Sequence, residues 1–271
     1  MAVATAAKTT SHPRLAKSPL VLTIAQVRFP TVLRVGDPDF IAPFQEALRE
    51  AYPVAVEEHE IQMMLGPQGA TQMPGQKQWR LHTADGMLSL VLASTALTFE
   101  SRSYIDADDF LDRFERALDA LQQHIRPALC ERVGLRYINE IRQPQGVSAG
   151  GWRGLIDNSF LGPIESELGK RFSVARTIQD ISLTRGPNEF VSLKHGFIPT
   201  GTTIVPAVPG SAAPTIGPFY LLDLDHFVTR REVFQSKGIL ASLEKFHAVL
   251  YDLFRLAITP ELYERLEPVN G

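Results

Sequence analysis

Residues 131–143 read ERVGLRYINEIRQ. On a period of two, Val133, Leu135, Tyr137, Asn139 and Ile141 fall on one face, and Arg136, Ile138, Glu140 and Arg142 on the other. A strand with one mostly apolar and one charged face belongs in an antiparallel sheet whose second side meets water or a partner. The strand lies near the middle of the chain, and the sequence on either side of it reads as two versions of one pattern.

Upstream, Pro19–Phe29 (PLVLTIAQVRF) is a strand in which Leu20, Leu22 and Ile24 give way to Gln26 and Arg28, so one face opens along its length. Asp37-Pro38 starts a helix, with Asp as cap and Pro at the first helical position. Pro43 predicts a short first turn or an offset start, because an interior proline removes a hydrogen bond. Gln62–Lys77 lacks periodicity and reads as a loop. Trp79–Arg102 then reads as a three-stranded meander turned at Asp85-Gly86. Asp106 caps the next helix, whose buried stripe is Phe110, Leu111, Phe114, Ala117, Leu118, Leu121 and Ile125.

Downstream, Gly151–Gly169 suggests a helix interrupted or bent near Gly162-Pro163, and 174–185 with 189–198 form a hairpin. The five prolines of Pro199–Pro218 mark a long excursion. Phe219–Val228 returns as a strand and Ile239–Ile258 as a long helix. The predicted fold is α+β: two related halves, each strand, helix, meander and helix with weak internal duplication, forming antiparallel sheet covered by long helices. The expected divisions are a flexible tail at 1–17, a first half at 18–127, and a second half at 128–271 carrying the loop at 199–218.

With 271 residues and 44% hydrophobic content the chain can bury a substantial core. A net charge of -3 gives no global attraction to nucleic acid or an anionic membrane. The single cysteine, Cys130, can form no internal disulfide, which points to a reducing cytoplasm, and its apolar setting suits a packed thiol. No run approaches the ~20 apolar residues of a membrane span. No phosphate-binding loop, dinucleotide fingerprint, nucleophile elbow or zinc spacing occurs, so no catalytic residue, metal ligand or cofactor is assigned.

The binding candidates are Arg136, Tyr137 and Asn139 on the central strand, Asp223 and Asp225 on 219–228, and Trp79. Asp223 and Asp225 share a strand face, where they would hold a divalent metal or pair across the sheet with Arg136 or Arg142. Tyr137, Asn139 and the aspartates would suit a docking surface for another protein.

The segments PLVLTIAQVRF, QWRL with its following DG turn, SRSYIDADDFLDRFERAL, ERVGLRYINEI, YLLDLDHF and LEKFHAVLYDLFRLAITPEL carry a likeness in this order. Over residues 18–266 the chain resembles a sporadically distributed family of prokaryotic proteins of about this length, mostly hypothetical. The resemblance implies a prokaryotic cytosolic protein, with a distribution compatible with defence-associated genes and a partner encoded nearby. It carries no catalytic residues over.

The expected function is therefore that of a non-enzymatic binding protein, a partner or regulator in a prokaryotic defence or toxin-antitoxin-like setting, with a protein partner and room for a homo-oligomer. The alternatives are a metal-dependent hydrolase or phosphoesterase using Asp223 and Asp225, and a nucleic-acid-binding protein.

Overall fold

A computed structural model of the chain describes residues 12–66, 69–200 and 217–269. The short strand β1 (Arg14–Leu15) precedes β2 (Leu20–Arg28) and helix α1 (Pro38–Leu48). A meander of β3 (Val54–Gly66), β4 (Gly69–His82), β5 (Leu88–Ala93) and β6 (Ala96–Ser101) leads into α2 (Ala107–Ala120). The central strand is β7 (Leu129–Ile141). The short helices α3 (Asn158–Leu161) and α4 (Glu167–Arg171) follow, then a second meander of β8 (Gln179–Gly186), β9 (Glu189–Ile198) and β10 (Phe219–Val233). The long helix α5 (Ser236–Ala257), α6 (Pro260–Arg265) and β11 (Pro268–Val269) complete the described chain.

β2 to β10 form one antiparallel sheet of nine strands in the order β3-β4-β5-β6-β2-β7-β10-β9-β8. The fold is α+β, as the patterning predicts. In each half the opening strand pairs with the last strand of its meander, and β2 and β7 pair with each other at the centre. The halves share this connectivity, with five strands of the sheet before β7 and four from β7 onward, and the connectivity by itself does not establish a duplication.

Local chemistry starts the helices where expected. The Asp37 carboxylate accepts from the Asp39 amide at 3.1 Å with Pro38 in the first turn, and Asp106 accepts from the Asp109 amide at 2.8 Å. α2 runs on through a π-helical turn, Leu121–Ile125, which Arg126 ends in the left-handed region at φ 57°. Two expectations are corrected and a third is refined. α1 starts at Pro38 and continues past Pro43, which, lying beyond the first turn, gives up the bond to the Asp39 carbonyl without ending the helix. Gln62–Lys77 is not a loop but most of the β3–β4 hairpin, so the first meander has four strands; ladder bonds hold it without an apolar period, and Pro74 lies beside the register shift between His59 and Ile61, where a proline is tolerated. The helix expected to be interrupted or bent near Gly162-Pro163 is interrupted there, at Gly162 with φ 49°, and divides further into separate short turns.

Ala25, Val27, Leu90, Leu92, Leu97, Phe99, Val133, Leu135, Leu222 and Leu224 lie on one side of the sheet and form one continuous core with the apolar stripes of α1, α2, α5 and α6. At roughly 1.5–3 kcal/mol for each fully buried large side chain, this layer is the main source of stability. The core crosses the β2–β7 seam without a break. On the opposite side, one end is closed by a smaller cluster of Leu22, Ile138, Ile198, Phe219 and Leu221. The rest of that side is mainly polar, with Ile24, Val91 and Phe227 set among the polar side chains.

Of the tail expected over 1–17, residues 1–11 lie outside the described residues, as do 201–216 of the expected loop. Arg14 and Leu15 pair with Val269 and Pro268, and Lys17 forms an ion pair with Glu267. Among the described residues no helix is long and apolar enough to cross a membrane.

Candidate functional site

The helix-free side of the sheet holds a trough of about 560 Å³ that crosses β4, β5, β6, β2, β7 and β10. Its position follows from the alternation of β7. Because Val133, Leu135 and Tyr137 are drawn into the core, Arg132, Gly134 and Arg136 must project from the other side.

Arg136 holds Asp223 of β10 in a bidentate fork, Nε donating to Oδ1 at 2.7 Å and Nη2 to Oδ2 at 2.6 Å. The aspartate side chain is only 6% exposed, the arginine 40%. The hydrogen bonds to Asp223 raise the Arg136 pKa against the opposing effect of burial. Asp225 lies directly opposite Arg136 in register but is engaged by Arg132, whose Nη2 donates to its Oδ2 at 3.3 Å. Burial raises the Asp225 pKa above the usual carboxylate value, and the two nearby arginines only partly offset it.

Arg132 can lie flat because its neighbour on this face is glycine. A Cβ on Gly134 would stand 2.9 Å from the Arg132 Nη1. With that space open, the guanidinium donates to Gln26 Oε1 at 3.2 Å and stacks over the Phe227 ring at 4.3 Å, while Gln26 Nε2 donates to Thr98 Oγ1 at 3.0 Å. A polar chain thus runs from Thr98 on β6 to Asp225 on β10. Burial pulls the Arg132 pKa down, and so does Arg28, while Asp225 acts the other way.

A second network occupies the β4–β6 end. Arg80 Nε donates to both Glu58 oxygens at 2.9 and 3.0 Å, and its Nη1 donates to Glu100 at 2.7 Å and to Ser89 at 3.1 Å. The two glutamates outweigh burial and raise the Arg80 pKa.

Arg28 completes the trough, and it is the exception. It is exposed and stands directly across from Arg132 in the β2–β7 register. The carboxylates near it are engaged by Arg80, Arg132 and Arg136, so among the described residues Arg28 has no ion pair. Like charges opposite each other in a sheet are unfavourable by up to about 1 kcal/mol.

The expected residues therefore separate. Arg136, Asp223 and Asp225 come together, and the aspartates face arginines. Among the described residues no group of three His, Cys, Asp or Glu side chains is arranged to hold a metal. Tyr137 and Asn139 lie on the helix-covered side. The Tyr137 hydroxyl meets His247 Nδ1 at 2.8 Å, and Asn139 Nδ2 donates to the Leu222 carbonyl at 3.0 Å. Trp79 also faces the core side and donates its ring N–H to the Val35 carbonyl at 2.8 Å. Arg142 pairs with Glu140 rather than with either aspartate. Gln26, Arg28, Arg80, Thr98, Glu100, Arg132 and Gly134 are not among the binding candidates read from the sequence. Arg132 could have been, since it has the parity of Arg136; the others depend on cross-strand register. No protein-family model and no curated protein matches the chain.

Proposed function

We propose that the chain is a non-enzymatic binding protein whose helix-free sheet face receives a segment of a partner protein, with an acidic group of that partner seated at Arg28 and Arg132. The observation that carries this reading is the trough itself. It is a large polar concavity whose arginines are held in place by carboxylates, with one arginine left over.

Its charge balance favours a protein over a nucleic acid. Of the lining residues Arg28, Arg80, Arg132 and Arg136 stand against Glu100 and Asp225, and Glu58 and Asp223, which hold Arg80 and Arg136 from outside the lining, bring the balance to four against four. A polyanion needs an uncompensated basic surface. A folded or extended protein segment offers donors and acceptors together, and Arg is enriched where proteins meet. A partner encoded nearby in a prokaryotic cytoplasm, as the sequence resemblance implies, belongs to the same reading.

The test is capture from the native host lysate with three baits: the wild-type chain, Arg28→Glu, and Lys237→Glu on α5 as a control. The captured protein is identified by mass spectrometry and its footprint mapped by hydrogen exchange. The expected result is a protein retained by wild type and Lys237→Glu, lost with Arg28→Glu, and protecting β2, β7 and β10. Capture indifferent to Arg28→Glu, protection elsewhere, or no specific capture would overturn the proposal, and salt-sensitive binding of labelled single-stranded RNA would replace it.

A further inference from the structure

The two edges of the sheet are built differently. On β3 the exposed Val54 and Val56 are followed by the exposed Glu57 and by a register shift between His59 and Ile61. Charge and a bulge are standard ways of keeping an edge strand from pairing with another chain. β8 has neither along its middle. Asp180 to Arg185 are all exposed, Ile181 is 37% and Leu183 40% exposed, and the only irregularity in its pairing lies at the end, between Thr184 and Gly186. No proline or lysine interrupts the strand.

We infer that β8 is the interface through which two copies of this chain pair, edge to edge and antiparallel, joining their sheets across a twofold axis at Ser182. The sequence QDISLTRG is what selects a second copy as the occupant. With Ser182 opposite its own counterpart, Ile181 faces Leu183 of the other copy, Leu183 faces Ile181, Asp180 faces Thr184 and Gln179 faces Arg185. Apolar residues meet apolar residues twice, polar meets polar, and no like charges oppose.

The neighbouring registers lack this match. Centring on Leu183 sets Ile181 against Arg185, and centring on Ile181 sets Leu183 against Gln179. Within the chain, Ile181 and Leu183 already pair with the buried Leu193 and Val191 on the core side of β9, so a second copy would extend that apolar row outward. Asp180 on the other face is tied to Lys194 at 3.3 Å and does not block approach. This inference is independent of the trough, which lies toward the opposite edge.

Sedimentation equilibrium of the full chain up to ~100 µM, in the range where a weak strand-edge dimer forms, tests the association. A cysteine at Ser182 tests the register. Paired strands place opposite Cα atoms within disulfide reach, roughly 4.5–5.5 Å, so Ser182→Cys would cross-link to its copy on oxidation. The only native cysteine, Cys130, is buried. Wild type should dimerise, Ser182→Cys should form a covalent dimer on a non-reducing gel, and Leu183→Lys should be monomeric with an unchanged circular dichroism spectrum. A wild-type chain that stays monomeric, or a dimer that leaves Ser182→Cys uncrosslinked, overturns the inference.

Discussion

Asp223 has both carboxylate oxygens bound by one guanidinium, that of Arg136, at 2.7 and 2.6 Å across the β7–β10 pairing. The carboxylate is buried, whereas the arginine is partly in water, so the two ends of the pair are not equivalent. Replacing the arginine leaves a buried carboxylate without its partner, and water reaches it only along the path the arginine had occupied. Arg136→Met should therefore cost about 2 kcal/mol, below the full penalty of a wholly buried broken pair. Urea titrations of Arg136→Met, Asp223→Asn and the double variant should show the double losing clearly less than the sum. Additive losses would mean that the fork contributes little.

Asp225 should behave differently although it lies two residues away on the same face. Its folded pKa is raised, burial being the largest cause, so the protonated form is the one folding favours. The contribution is complete below the ordinary value of 3.8 and is lost as pH rises through the raised folded value. At neutral pH the ionised Asp225 is a cost that its pairing with Arg132 partly offsets. Asp225→Asn should change stability at neutral pH by under about 1 kcal/mol, less than Asp223→Asn does. Wild type should gain on Asp225→Asn as the medium is acidified. The comparison needs urea midpoints for the three proteins at neutral and mildly acid pH, and a loss in Asp225→Asn as large as that in Asp223→Asn would contradict it.

Gly134→Ala separates positioning from stability. The new methyl would meet only the far end of the Arg132 side chain, which can swing away. Stability should shift by no more than about 0.5 kcal/mol, because strand propensity gains what the displaced contacts lose. The guanidinium would nonetheless leave Gln26, Asp225 and the Phe227 ring. The proposed capture of a partner should weaken several-fold at nearly unchanged thermal stability, and equal capture by Gly134→Ala would remove Arg132 from the binding surface.

Much of this arrangement is legible in the sequence. The alternation of 131–143 reports which side chains of β7 are buried, and the capping residues Asp37 and Asp106 locate two helices from local chemistry alone. The partnership of Asp223 with Arg136 was within reach because both lie on strands with clear parity. Arg80, Glu58 and Glu100 were not, because their meeting depends on how β3, β4, β5 and β6 align, which backbone hydrogen bonds and turns decide. Gly134 illustrates the same limit: its consequence is an absence of atoms, visible only once the Arg132 side chain is seen lying in the space. Tyr137 and Asn139 drew attention as polar residues on a strand, yet parity had already assigned them to the buried face, where hydrogen bonding to His247 and to the Leu222 carbonyl accounts for them.

The pairing of Tyr137 with His247 makes a prediction about acid. Burial lowers the His247 pKa from 6.5 to about 4, with His12, whose ring centroid is 5.2 Å away, adding to the effect. His195, held at 2.9 Å from the Tyr220 hydroxyl, is likewise pulled to about 4 by burial. In both cases the unfolded chain binds a proton more readily than the folded one. Stability is therefore complete above the ordinary value of 6.5 and declines as pH falls from there toward 4. His195 is almost wholly buried and should account for about 3 kcal/mol of this loss; His247 is partly exposed, and about 2 kcal/mol is the better figure. Urea midpoints followed across this interval should fall steeply for wild type and less steeply for His247→Gln, which keeps a hydrogen-bonding side chain near Tyr137 but cannot titrate. Tyr137→Phe should lower stability at neutral pH while leaving the slope largely intact, because the slope comes from burying the imidazole and not from the hydroxyl beside it. If His247→Gln retains the full wild-type slope, the acid sensitivity belongs to other groups.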